Sequence, residues 1–318
     1  METRMTDPWT EESIPDQSGA TFAVTGATSG LGWETARALA QHGARVLVGA
    51  RTDAKASDAI ERIAQTGPAG TLEPWVIDLA DLDSVAAGAS QLVATESRLD
   101  GLVNNAGIMW TPYGTTAQGF EQQLGVNHLG HFALTGRVLP LLLDTEDSRV
   151  VSVSSNGHRP GRINTEDLQS ETSYSPYAAY FQSKLANLLF TSELQRRLAD
   201  VGSSTIAVAA HPGGSATNLG HENPGGVRGA LYGLLQPLTG WLAQPAAMGA
   251  LPQLRAATDP SVQGDDYYGP GGFSELRGHP VPVGRSDRAK DAMTAAWLWD
   301  TSVELTGVDY GALRDVSS

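Results

Sequence analysis

The strongest constraint on this chain is a rhythm: short unbroken apolar runs alternate with stretches of helical period. The runs are ATFAVT (20–25), ARVLVGA (44–50), LEPWVID (72–78), LDGLVNNAG (99–107), SRVVSVSS (148–155) and STIAVAAHPG (204–213). They lack the strict apolar–polar alternation of a strand with one wet face and read as strands buried on both sides. Between them, helical patterns run over about 31–41, 53–65, 82–95, 118–143 and through AYFQSKLANLLF (179–190). Gly43 stands where the residue after a helix end belongs. GDDYYGPGG (264–272) reads as a seventh strand and about 289–305 as a last helix, carrying Trp297 and Trp299. This alternation calls for a parallel sheet covered by helices on both faces, a doubly wound α/β domain of about seven strands. No linker or second periodic unit divides the 318 residues, so a single domain over 1–318 is expected.

Composition enters by exclusion. A net charge of −14 repels phosphate backbones, so nucleic acid is not an expected partner. With no cysteine there are no disulfides and no thiolate chemistry, and nothing supports secretion. The opening METRMTDPWTEESIPDQSGA lacks the apolar core of a signal peptide, and a cytoplasmic location is expected. One stretch tests that expectation: from Gly229 to Leu254 there is no charged residue. Its length suits a membrane span, but Pro237, Pro245 and Pro252 interrupt it, as do three glutamines. The expectation is therefore no transmembrane segment, and instead a helical excursion over about 220–255. It would form an apolar lid over a substrate, hinged at the glycines of PGG (224–226).

The first strand runs into TGATSGLG, with glycines at 26, 30 and 32, and then into a helix. Such a turn lets a pyrophosphate approach the helix N-terminus, where free N–H groups and the dipole favour anions. The spacing resembles that of the short-chain dehydrogenase/reductase family, and further motifs follow in the family's order. They are NNAG at 104–107, Asn127 within VNHLGHF, the Ser154–Ser155 pair, Tyr180-x-x-x-Lys184, His211-Pro-Gly, and Thr217. The resemblance covers roughly 18–220 and implies a Rossmann-like fold. NHLGHF, YFQSKLANLLFTSEL and the long gap between Ser155 and Tyr180 resemble the retinol-dehydrogenase-like branch. Members of that branch with a membrane anchor differ from this chain at the N-terminus, which argues against carrying over retinoid chemistry.

By that resemblance the cofactor is held by Gly26, Thr28, Ser29, Gly30, Leu31 and Gly32, then by Asp78 and Leu79, by Asn105, Ala106 and Gly107, and by Pro212, Gly213 and Thr217. Asp78 also fits the simpler role of capping the next helix. NAD-selective members carry an acid at the end of the second strand; here Ala50 stands there and Arg51 follows. An arginine can bind a 2′-phosphate through charge-assisted hydrogen bonds, so NADP(H) is the expected cofactor.

Tyr180 and Lys184 lie one helical turn apart and share a face. A phenol ionises near pH 10, too high for a good base at neutrality, and a neighbouring ammonium would lower that value. The resemblance makes Tyr180 the general acid/base and gives Lys184 a second contact with the nicotinamide ribose. It makes Ser155 the hydrogen-bond partner of the substrate oxygen, and Asn127 the holder of a water that links Lys184 to solvent. His128 and His131 sit at i,i+3 without a carboxylate at metal spacing, so helix packing is expected and no metal. His158, after the serines, suits a substrate loop. Trp110, Tyr174, Leu231, Leu234 and Trp241 suggest an apolar substrate cavity, with ordinary core packing as the competing reading.

The function expected is an NADP(H)-dependent oxidoreductase interconverting a carbonyl and an alcohol on a bulky apolar small molecule; self-association is left open. Two alternatives remain at this stage: a C=C reductase on the same scaffold, and an NADP(H)-sensing regulator without turnover.

Overall fold

The computed structural model describes residues 7–214 and 244–313. Eight strands form one sheet in the order β3-β2-β1-β4-β5-β6-β7-β8. The strands are β1 (Thr21–Val24), β2 (Arg45–Ala50), β3 (Thr71–Val76), β4 (Gly101–Asn104), β5 (Arg149–Val153), β6 (Ile206–Ala210), β7 (Tyr267–Pro270) and β8 (Pro280–Pro282). The first seven pair in parallel, and β8 adds an antiparallel edge. This eighth strand was not foreseen; it is a three-residue segment with proline at both ends. Proline is tolerated on an edge because it need not donate to a further strand. The opposite edge, β3, carries Pro74.

The helices are α1 (Gly30–Gln41), α2 (Asp53–Ala64), α3 (Leu82–Thr95), α4 (Gln122–Leu124), α5 (Gly130–Leu143), α6 (Pro176–Asp200), α7 (Ala246–Thr258) and α8 (Ala292–Thr306). A π-helical turn over Gly125–Leu129 joins α4 to α5. The expected helix over 118–143 is thus three pieces, and a one-residue widening of this kind leaves no trace in an apolar period.

Two cores lie on the two faces of the sheet. On one, Ala36, Leu39, Ala56 and Ile63 from α1 and α2 meet Ala250 and Leu254 of α7. On the other, Val85 and Leu92 of α3 meet Phe132 of α5, Phe190 of α6 and Trp299 of α8. Each fully buried leucine or phenylalanine contributes roughly 1.5–3 kcal/mol of transfer free energy. Phe190 stacks on Trp299 with centroids 5.9 Å apart. The Tyr310 hydroxyl donates to the Phe132 carbonyl at 2.7 Å and ties the chain's end to α5.

One expectation changes here. The far part of the supposed lid, from 246 onward, is α7, a core helix between β6 and β7. It is buried through Gly249 to Leu254, and its small residues allow close approach to α1. Gln253 Nε2 donates to Thr35 Oγ1 of α1 at 2.5 Å and to Asn105 Oδ1 at 3.2 Å. Lack of charge in this segment reflects burial in a helix layer. The rest of the proposed lid, with Leu231, Leu234 and Trp241, lies outside the described residues, as does Thr217.

Candidate active site

The site lies at the carboxyl ends of the parallel strands. At β1 the chain turns through Gly26 (φ 64°) and Gly30 (φ 55°) into α1. Both angles are in the left-handed region that glycine adopts without strain. A Cβ on Gly26 would stand 2.9 Å from Ala106 Cβ, and one on Gly32 would stand 2.4 Å from the Gly26 carbonyl oxygen. The turn is therefore closed against β4 and against its own helix. Ser29, the N-cap of α1, makes no side-chain cap, so the first helical N–H groups have neither an intrahelical nor a capping partner. That is a fit for a pyrophosphate. Ala27 N–H donates to the Gly49 carbonyl at 3.0 Å, which brings the turn beside the end of β2 and hence beside Arg51. Arg51 is exposed and forms no ion pair among the described residues. A second cation was not foreseen: Arg62 of α2 donates to the Thr28 carbonyl at 2.6 Å. No local pattern marks it, since the two residues are 34 apart in the chain.

Asp78 does not cap the next helix. Its carboxylate accepts the Ala80 N–H at 3.0 Å, while Asp81 caps α3. Leu79 is buried beside it. At the end of β4, Thr25 Oγ1 accepts the N–H groups of Asn105 and Ala106, both at 3.0 Å, and Asn105 Nδ2 donates to the Thr25 carbonyl at 2.8 Å. Asn105 is thus fully occupied in joining β1, β4 and α7. A Cβ on Gly107 would meet Asn127 Oδ1 at 3.2 Å and Lys184 Nζ at 3.4 Å, so only glycine leaves those two groups undisturbed.

Asn127 sits in the π-helical turn. Its Oδ1 accepts the Ile108 N–H at 2.8 Å, and its Nδ2 donates to the Ile108 carbonyl at 3.0 Å and to Ser183 Oγ at 2.9 Å. Both amide hydrogens are spent on the chain itself, so the side chain braces the β4 loop against α6. His128 Nε2 lies 2.9 Å from Ser302 Oγ, while His131 Nε2 lies 2.9 Å from Thr25 Oγ1. The two histidines face different partners. Burial keeps both neutral, at about 3 and about 4.

At the end of β5 the two serines diverge, as side chains on a strand must. Ser154 Oγ donates to the Lys184 carbonyl at 2.8 Å. Ser155 Oγ accepts the Gly157 N–H at 3.1 Å, and a Cβ on Gly157 would stand 3.2 Å from the Tyr180 ring, so the hydroxyl and the phenol ring flank the same glycine. Proline at the first position and Ser175 at the N-cap start α6 just ahead of Tyr180. Lys184, buried one turn on, donates to the Val153 carbonyl at 3.1 Å. Burial pulls its ammonium down to about 8. The phenol differs from expectation: burial holds Tyr180 above its ordinary value, and the nearby Ser155 hydroxyl only partly offsets this. Lys184 Nζ is turned toward the strand, and burial sets the direction of the phenol's shift.

The floor of the site is latched from the other side. His158, expected in a substrate loop, is a buried brace: Nδ1 lies 2.7 Å from the Ser155 carbonyl and Nε2 accepts the Ser286 N–H at 3.3 Å. The loop between β7 and β8 leans on the same region. Glu275 pairs with Arg159 at 2.8 Å and stands 3.2 Å from His211 Nε2. Burial holds His211 at about 3, so that second contact is not an ion pair. Gly213 (φ 64°) leaves room for the Leu276 carbonyl, and Gln244 Nε2 donates to the Pro212 carbonyl at 2.8 Å. Ser274 and Glu275 are successive non-glycine residues with φ of 52° and 56°, an arrangement that persists only where its surroundings hold it. A concavity of about 500 Å³ lies elsewhere, between α6, β7 and β8; its Arg285 is already paired with Asp265.

A hydroxyl pair able to hold an oxygen and pass it a proton, beside a turn shaped for a pyrophosphate, is the equipment of a dinucleotide-dependent oxidoreductase. The sequence model of short chain dehydrogenase matches residues 20–225. Retinol dehydrogenase 14 of Mus musculus is 41% identical over 304 residues, covering 91% of this chain and 86% of its own. Retinol dehydrogenase 12 of Homo sapiens is 40% identical over 290 residues, covering 91% and 87%. The crystal structure of an uncharacterised protein from Mycobacterium Paratuberculosis superposes with a TM-score of 0.79 at 45% identity, covering 95% of this chain and 99% of that one. The chain belongs to the short-chain dehydrogenase/reductase family, in its retinol-dehydrogenase-like branch. The family works with a nicotinamide cofactor. Among the described residues, no helix is long and apolar enough to cross a membrane.

Proposed function

We propose that the protein interconverts a ketone or aldehyde with its alcohol, using NADP(H), on a bulky apolar substrate. The observation that carries this reading is the gathering of the Ser155 hydroxyl, at the end of β5, and the buried Tyr180 ring about Gly157, with Lys184 buried one turn away. The cofactor, when bound, supplies or takes the hydride. The chain's own part is to hold the substrate oxygen and manage its proton. Ser155 donates to the carbonyl oxygen, and Tyr180 gives its proton to that oxygen as the carbon is reduced. Burial keeps the phenol protonated at neutral pH, which suits the acid role and so the direction of reduction. Lys184 would turn from the Val153 carbonyl toward the cofactor ribose and the phenol. Asn127 fixes the backbone of the β4 loop beside Lys184 and leaves any water there to main-chain groups.

NADP(H) is supported by the absence of an acid at Ala50 and by exposed Arg51 beside the glycine turn. A structure described as that of an NAD(P) dependent gluconate 5-dehydrogenase from Beutenbergia cavernae, 27% identical with a TM-score of 0.58, carries NADP bound at low occupancy. A bulky apolar substrate is supported by the similarity to retinol dehydrogenases. The test is NADPH oxidation by the purified protein against a panel of ketones and aldehydes, repeated with Tyr180→Phe. Turnover that survives in the variant would refute the acid–base assignment.

A further inference from the structure

Beside the catalytic hydroxyls stands an aromatic pair without a core role. Trp110, in the loop after β4, and Tyr177, three residues before Tyr180 on α6, have ring centroids 5.2 Å apart at 56°. Both are half exposed, 40% and 54%, so the contact leaves much of each ring open. Residues at i and i+3 share a helix face, which sets Tyr177 on the side of α6 that carries the Tyr180 phenol.

The pair is held in place at some cost. Trp110 has φ 58°, an outlier for so bulky a residue and a form of strain that gathers at ligand clamps. One buried side chain braces the Trp110 backbone and the first turn of α6, next to Tyr177. Gln123 Oε1 accepts the Trp110 N–H at 2.8 Å, while its Nε2 donates to the Tyr174 hydroxyl at 2.9 Å and to the Pro176 carbonyl at 3.0 Å. Gln123 is 0% exposed and is itself held by Glu121, whose carboxylate accepts its N–H at 2.8 Å. The Tyr174 hydroxyl donates onward to the Thr111 carbonyl at 2.7 Å. A half-exposed aromatic pair would need none of this to keep the fold stable.

We propose that Trp110 and Tyr177 form the recognition platform for a flat aromatic or conjugated carbonyl substrate, with Gln123 as the residue that positions it. This rests on the reading of Tyr180 as proton donor. A ring laid against the open faces gains from offset or edge contacts that a saturated ring of equal size cannot make.

The test compares 2-naphthaldehyde with its fully saturated decalin counterpart, using NADPH and the full chain. Wild type should prefer the flat aldehyde in kcat/KM. Trp110→Leu, apolar but not flat, should lower that preference about tenfold, chiefly through KM. Trp110→Phe should restore most of it, and Gln123→Met, of similar volume, should lower it in the same sense. A preference absent in wild type, or untouched by Trp110→Leu and Tyr177→Leu, overturns the platform and leaves the Tyr180 chemistry standing. If neither aldehyde turns over, quenching of tryptophan fluorescence by 2-naphthaldehyde separates the two ideas. Quenching lost in Tyr177→Leu, which keeps the Trp110 fluorophore, supports the platform and rejects the reaction; no binding by wild type rejects the platform as well.

Discussion

Lys184 Nζ donates to the Val153 carbonyl and lies 5.8 Å from the centre of the Tyr180 ring. Asn187 Nδ2 donates to the same carbonyl at 3.1 Å, so that oxygen keeps a partner if the lysine is removed. The ammonium is therefore not needed to satisfy that carbonyl.

Lys184→Met should accordingly stabilise the fold. The ordinary value is 10.5 and burial lowers it to about 8. Below pH 8 both folded and unfolded chains hold the proton, and the cost of burying the charge is fully present. Between the two values the unfolded chain binds more protons, so wild-type stability gains with rising pH. The variant should exceed wild type by roughly 1–3 kcal/mol at pH 7, and the gap should narrow toward pH 10. Denaturant unfolding at several pH values reads this out. A gap independent of pH would mean that Lys184 does not fold as a buried ammonium.

Tyr180→Phe keeps the ring against Gly157 and Phe181 and removes only the hydroxyl. We expect kcat to fall by about 10²–10⁴ while NADPH affinity, measured by calorimetry, holds.

Arg51→Ala should weaken NADPH binding about ten- to hundredfold and NADH binding much less, because one charge-assisted contact to the 2′-phosphate is lost. The residue is exposed, so unfolding free energy should stay within about 0.5 kcal/mol. Equal affinity of the wild type for both cofactors would defeat the assignment.

Glu275→Gln removes the charge that holds Arg159. Stability should drop by at most about 1 kcal/mol, as for a partly exposed pair. Amide exchange over 271–279 should accelerate, because the left-handed Ser274–Glu275 step loses its anchor. Unchanged exchange there would show that backbone contacts alone hold the loop.

The sheet was legible because strands such as Val46–Val48 and Val150–Val151 are buried on both faces and must be continuously apolar. Tyr180, Lys184 and the glycine turn were legible because their chemistry depends on short local spacing. What escaped were long-range polar clamps. Gln123 reaches Tyr174 and Pro176, and Gln253 reaches Asn105 across 148 residues; a lone glutamine in an apolar stretch looks the same whether it clamps or is merely tolerated. Residues 246–254 were misread for a related reason. An uncharged run with Pro252 resembles a lid until its partner α1 is known. The phenol's direction was misjudged because sequence gives the neighbour at i+4 but not the depth of burial.

The prolines at the rims of the sheet have a consequence for the molecule in company. Pro74 lies in the strand at one margin, and Pro280 and Pro282 bound the strand at the other. Each removes a donor from a row that could otherwise template a neighbouring chain. Copies crowded together during synthesis thus meet margins poorly suited to ribbon-like extension. Orderly association between copies is left to helical surfaces, where contacts are made by side chains and are open to selection.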